Sequence, residues 1–182
     1  CERKALMARD SSAVRQRCRF VSTGIAVNAL GDVFVGGYTE GTLPGVGASQ
    51  GRTDFFVLDY NRSGALQWTT QWGTIEDEEI VGLATGPSGE LYAAGWSQGS
   101  VGSATNPNPG TSDALVMRID EAPTGSMTWA RQTDGGPGDQ WNSIAVRGSS
   151  IYLAGRTDGT VAGTNAGGSD TITARYDLNG NL

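Results

Sequence analysis

Residues 82–97 read GLATGPSGELYAAGWS, and this stretch decides the fold because the chain carries it three times. Its opening, Gly82-Leu83-Ala84-Thr85, matches Gly24-Ile25-Ala26-Val27, 58 residues earlier, and Ser143-Ile144-Ala145-Val146, 61 residues later. A turn and a second strand follow in each copy: DVFVGGYT from Asp32, ELYAAGWS from Glu90 and SIYLAGRT from Ser150. Each second strand ends in Gly-x-[Ser/Thr] and holds an aromatic at one equivalent place, Phe34, Tyr92 or Tyr152.

Working outward, a Gly-rich loop leads to a third strand opened by aspartate: DFFVLDYN from Asp54, DALVMRID from Asp113 and DTITARYD from Asp170. Phe56, Leu58 and Tyr60 alternate along one face, as do Leu115, Met117 and Ile119, and Ile172, Ala174 and Tyr176. That period of two is the mark of a strand with an apolar face. A turn glycine comes next (Gly64, Gly125, Gly180). The first two copies then supply a fourth strand containing Trp68 or Trp129, each 16 residues before the alanine of the next copy. No segment between strands has helical periodicity, which disfavours a parallel sheet with crossover helices. A β-sandwich could use similar strands but would not explain units that repeat glycine, aspartate and tryptophan in order.

Four short strands per unit, repeated, predict an all-β chain of four-stranded antiparallel β-propeller blades. The units are residues 24–81, 82–142 and 143–182, the last incomplete at its fourth strand. Residues 1–23 are then a basic leader or a strand completing a neighbouring blade. Three blades are fewer than the about 4–8 that propellers use. The expectation is therefore a partial propeller in a longer chain, or copies joined head to tail as halves of an oligomeric ring.

The strings GIAVNALGDVFVGGYT, TDGTVAGTNAGGSD and DLNGNL resemble the bacterial SBBP repeat, a family named for a presumed seven-bladed β-propeller. The resemblance covers residues 24–182. It implies a secreted or surface-exposed bacterial protein with no established common activity. A weaker similarity, through Thr124-Gly125-Ser126-Met127-Thr128-Trp129, is to pyrroloquinoline-quinone-type propeller repeats. It bears on architecture and not on that cofactor, so no cofactor is expected.

Charge and composition narrow the function. The 182 residues include 28 glycines and carry a net charge of −6. Residues 1–23 hold six basic and two acidic groups, so they contribute +4 and leave −10 for the rest. An acidic body argues against nucleic acid, because phosphate binding depends on Lys and Arg. No apolar run reaches the roughly 18–20 residues of a membrane helix. The chain has two cysteines, Cys1 and Cys18, and no histidine. Cys₂His₂ and Cys₄ zinc sites and His-dependent nucleophile systems are thereby excluded within one chain. Cys1 and Cys18 have the option of pairing, and a cysteine at position 1 also fits a lipid-anchored lipoprotein.

Asp54, Asp113 and Asp170 recur in every copy, which suits a structural aspartate that accepts loop amides and not a catalytic group needed once per site. Trp68 and Trp129 recur likewise and are read as packing between units. Glu76-Asp77-Glu78-Glu79 is the densest acidic run, but it lacks the EF-hand spacing and reads as a solvated loop, so no metal site is expected. One position varies within a constant frame: Tyr38, Trp96 and Arg156, between the Gly and the Ser/Thr of the second strand. These residue types are enriched in binding hot spots, which makes the three the candidates for ligand binding. Packing between blades is the competing account. The reading is a non-enzymatic interaction or scaffold module that binds a protein or glycan. The alternative is a propeller enzyme, a hydrolase or lyase acting on carbohydrate.

Overall fold

Alternating apolar residues between turn-forming clusters leave this chain only strands to build. The structure, a computed structural model, describes residues 19–120, 124–161, 163–165 and 167–182. The proposed pairing of Cys1 with Cys18, the lipid anchor at Cys1 and most of the basic segment lie outside the described residues. No helix occurs among the described residues. Eleven strands follow in chain order: Phe20–Val27 (β1), Val33–Thr39 (β2), Asp54–Tyr60 (β3), Leu66–Trp72 (β4), Glu78–Thr85 (β5), Leu91–Ser97 (β6), Asp113–Asp120 (β7), Ser126–Thr133 (β8), Gln140–Arg147 (β9), Ser150–Thr157 (β10) and Asp170–Asp177 (β11).

The strands form three antiparallel meanders, β1-β2-β3-β4, β5-β6-β7-β8 and β9-β10-β11. Each is held by its turns. Asn61 Oδ1 accepts the amides of Ser63 and Ala65 at 3.0 Å, and Asp177 Oδ1 accepts those of Asn179 and Asn181 at 2.8 and 2.9 Å. These are Asx turns, in which a short side chain stands in for backbone and fixes the reversal. No sheet closes on itself.

The repeat spacing places the unit boundaries at 24, 82 and 143, yet the first strand of each sheet begins earlier, at Phe20, Glu78 and Gln140. Phe20, which the spacing leaves in the basic segment, opens β1 instead. The reason is a β-bulge in each first strand. The register skips Thr23, Val81 and Asn142, so the alternation of apolar residues breaks there and the residues before it fall out of phase. The bulge also explains the glycine of Gly-x-[Ser/Thr]. A Cβ on Gly37, Gly95 or Gly155 would collide with the carbonyl oxygen of Val21, Glu79 or Gln140, the bulged backbone of the neighbouring strand.

The sheets stack face to face in chain order. β5 packs on β1, β2 and β3, and β9 packs on β5, β6 and β7. The seam between the first and second sheets holds Phe34, Phe55, Val57 and Trp68 from one side and Ile80, Leu83, Leu91, Leu115, Met117 and Ile119 from the other. The seam between the second and third holds Tyr92, Ala94, Ala114 and Val116 against Trp141, Ile151, Leu153 and Tyr176. The second sheet is thus buried on both faces: successive residues of LYAAG in β6 point alternately into one seam and the other. The third strands of the first two sheets therefore have two apolar faces where the alternation indicates one.

Candidate functional site

Tyr38, Trp96 and Arg156 occupy one register position at the end of β2, β6 and β10. Across the sheet, Tyr38 stands opposite Val21 and Phe55, Trp96 opposite Glu79 and Ala114, and Arg156 opposite Gln140 and Thr171. Tyr38 and Trp96 are half-buried and Arg156 is exposed. Each binds its own sheet. The Arg19 guanidinium lies over the Tyr38 ring at 5.7 Å, and Arg156 reaches Asp158 and Gln140 at 3.4 Å. A hydrogen bond from Trp96 to Glu79 lowers the Glu79 pKa, although burial, the larger effect, leaves it raised. The fold brings the three to equivalent places on three sheets and keeps a solvent-facing surface on each.

The same end of the sheets carries a polar network that anchors the Gly-rich loops. Thr39 Oγ1 accepts the Gly41 amide and Ser97 Oγ the Gly99 amide, both at 3.1 Å, and Thr157 Oγ1 accepts the Gly159 amide at 3.0 Å. Asp54 accepts the amides of Gln50 and Gly51 at 3.1 and 3.2 Å and the Gln71 side-chain amide at 2.6 Å. Asp113 receives Gln132 at 3.4 Å. Asp170, at the same place in the third sheet, is half-buried at the start of β11.

Gln71 and Gln132 are residues that the sequence reading missed. Each clamps a loop from both sides: Gln71 accepts the Leu43 amide at 2.9 Å and donates to the Gly41 carbonyl at 3.1 Å, and Gln132 does the same to Val101 and Gly99 at 2.9 and 2.8 Å. The signal was present in Trp68-x-x-Gln71 and Trp129-x-x-Gln132. The two tryptophans face the next sheet, where Trp68 lies on Gly125 and Trp129 on Gly180. Trp68 also meets Phe34, and Trp129 meets Tyr92, at a ring-centroid distance of 6.1 Å in both cases.

The acidic run 76–79 is not the solvated loop its composition indicates. Asp77 accepts the Thr53 amide and hydroxyl at 3.1 Å and pairs with Arg52, and Glu78 is fully buried. The reason is position: Glu78 starts β5, and its pleat turns it into the seam beside Asp54. The Glu78 carboxylate accepts the Thr74 amide at 2.7 Å, the Thr74 hydroxyl at 2.5 Å and the Ser97 hydroxyl at 3.3 Å. Burial, the largest influence, and the nearby Asp54 still push its pKa up to about 7. Asp113 is likewise fully buried and pushed up to about 7 by burial and by Asp134 and Asp139. Asp139, the Glu78 counterpart at the start of the third sheet, is raised by burial as well. One oxygen of Asp113 and one of Asp139 have no hydrogen-bond partner. These carboxyls lie inside the seams, so their chemistry is protonation coupled to packing and not contact with a substrate. No group of three or more His, Cys, Asp or Glu among the described residues is placed to hold a metal ion, and no described helix is long and apolar enough to cross a membrane.

No family model matches the chain. Over 117 residues it is 31% identical to the regulatory protein FlaEY of Caulobacter vibrioides. The matched stretch is 61% of this chain and 12% of that protein, so the chain spans a small part of its relative's length.

Proposed function

We propose that the chain is a run of consecutive β-propeller blades of the SBBP-repeat kind and serves as a non-enzymatic interaction module of a secreted or surface-exposed bacterial protein. The observation that carries the reading is the wedge shape of the seams. On one side, the first strands nearly touch: a Cβ on Gly24 would stand 3.2 Å from the Gly82 backbone, and one on Gly82 would stand 3.1 Å from Ile144. The Thr85 hydroxyl bridges to the Val27 carbonyl at 3.0 Å, one period away. On the far side, the fourth strands are held apart from the next sheet by whole indole rings. Sheets thin at the first strand and thick at the fourth splay around an axis, which is the packing of propeller blades.

Binding is assigned to the Tyr38, Trp96 and Arg156 positions, with a protein or glycan as ligand. Two aromatics and a guanidinium on a rigid frame suit either. The relative's name, a regulatory protein, fits a chain that binds, and its length beyond the match leaves room for further blades. Carbohydrate hydrolysis or lysis is not favoured, because the carboxyls with raised pKa are sealed in the seams. A glycan array run beside glycosidase and lyase substrate panels tests the reading, with the Tyr38→Ala/Trp96→Ala/Arg156→Ala variant as control. Turnover of a sugar substrate by the parent chain overturns it. Binding that the triple variant loses supports it.

A further inference from the structure

The outer face of β1–β4, turned away from the second sheet, is built like a seam. Ile25 and Val27 are 67% and 55% exposed there, and Leu66 41%. In the second sheet the position of Ile25 is Leu83, which is 8% exposed, and that of Leu66 is Met127, which packs into the core. Val33 and Val35, half-buried on this face, correspond to Leu91 and Ala93 and to Ile151 and Leu153, all buried against a preceding sheet. The turn glycine repeats the pattern. Gly125 lies under Trp68 and Gly180 under Trp129, whereas nothing lies within 4 Å of a Cβ built on Gly64.

We infer that the outer face of β1–β4 is a docking surface for one further four-stranded unit of this repeat, joined ahead of β1 in a longer polypeptide, whose fourth-strand tryptophan lies over Gly64. The inference rests on reading the sheets as consecutive blades. Continuity with the two existing seams identifies the occupant, because both are made by the same positions of one sheet meeting the tryptophan-bearing face of the sheet before it. A second copy of this chain is a poorer match. The open face of its third sheet presents Thr171 and Thr173 where the first sheet has Phe55 and Val57, and that sheet has no described fourth strand to offer a tryptophan. Burying Ile25, Val27 and Leu66 removes apolar surface from water, the same gain that closes the other seams.

The test inserts a copy of residues 78–138 between Arg19 and Phe20, so that the added unit meets β1 through the junction that natively leads to Asp139. A second extended chain uses a copy of residues 20–77. Thiol labelling is followed by peptide mapping in Ile25→Cys, with Leu83→Cys as the reference for an existing seam. Labelling at position 25 is expected to be fast in the parent chain and at least tenfold slower in an extended one. Trp→Ala at the fourth-strand tryptophan of the added unit should reverse much of that protection. Fast labelling at position 25 in both extended chains, or failure of both to fold, overturns the inference. So does a parent chain that light scattering shows to be a dimer protected at position 25, which makes a second copy the occupant. Protection of the parent monomer that removal of residues 1–18 abolishes also overturns it. Fast labelling at position 83 would instead sink the blade reading itself, so the two failures are distinguishable.

Discussion

Trp68 lies across Gly125, the turn glycine of the following sheet, so closely that a Cβ on Gly125 would collide with its six-membered ring. Gly125 also has a φ of 64°, in the left-handed region. Gly64 has a φ of 80° but open space above it. Gly64→Ala should therefore cost about 1 kcal/mol, the penalty of a left-handed alanine. Gly125→Ala adds a steric clash in a packed core and should cost about 3 kcal/mol. Paired urea titrations measure the difference, and equal losses would remove the tryptophan from the seam's stability.

Met117 is fully buried in the first seam, while its counterpart Leu58 is half-buried on the outer face of the first sheet. Met117→Ala should cost roughly 2–5 kcal/mol, the range for a large-to-small change in a core. Leu58→Ala should cost about 1 kcal/mol, because a half-buried side chain gives up less transfer energy. Thermal melts of both variants check the order.

The pH dependence follows from two raised carboxyls. Glu78 moves from 4.5 to about 7 and Asp113 from 3.8 to about 7, so between those limits the folded chain binds more protons than the unfolded one. Their contribution to stability is therefore fullest below about pH 4 and is lost as pH rises through about 7. Glu78→Gln keeps a neutral side chain in the seam at every pH. Relative to the parent it should be little changed at pH 5 and more stable by about 1–3 kcal/mol at pH 8. A parent-minus-variant difference that is flat with pH would contradict the assignment.

Gln71 grips the 41–51 loop through Leu43 and Gly41 while also donating to Asp54. Gln71→Ala should lower stability by about 1–2 kcal/mol, the cost of leaving buried partners unmet. It should also speed hydrogen exchange of the Leu43, Gln50 and Gly51 amides ahead of those in β6. Gln132→Ala should do the same to the 99–111 loop.

The strands of this chain are readable from sequence because apolar alternation and turn glycines recur in register. The tryptophans are readable too: large side chains repeated at one spacing imply one repeated surface. The first halves of β1, β5 and β9 are hidden, since the bulges at Thr23, Val81 and Asn142 reverse the alternation midway. Burial of Glu78 is hidden for a related reason. Four acidic residues in a row look solvated, and only the pleat of β5 and the sheet beside it turn the third one inward. Gln71 and Gln132 go unnoticed because glutamine has no compositional signature of its own and the clamp joins residues about 30 apart.

The second sheet belongs to both hydrophobic clusters, and the two clusters share no residue. Stability in such a stack behaves like a one-dimensional lattice with nearest-neighbour couplings. A defect's ordinal place then matters as much as its chemistry. Gly37→Ala and Gly95→Ala impose the same backbone collision, but the first loosens a sheet with one coupling and the second a sheet with two. Damage at an end frays the stack by one unit, whereas damage in the middle divides it.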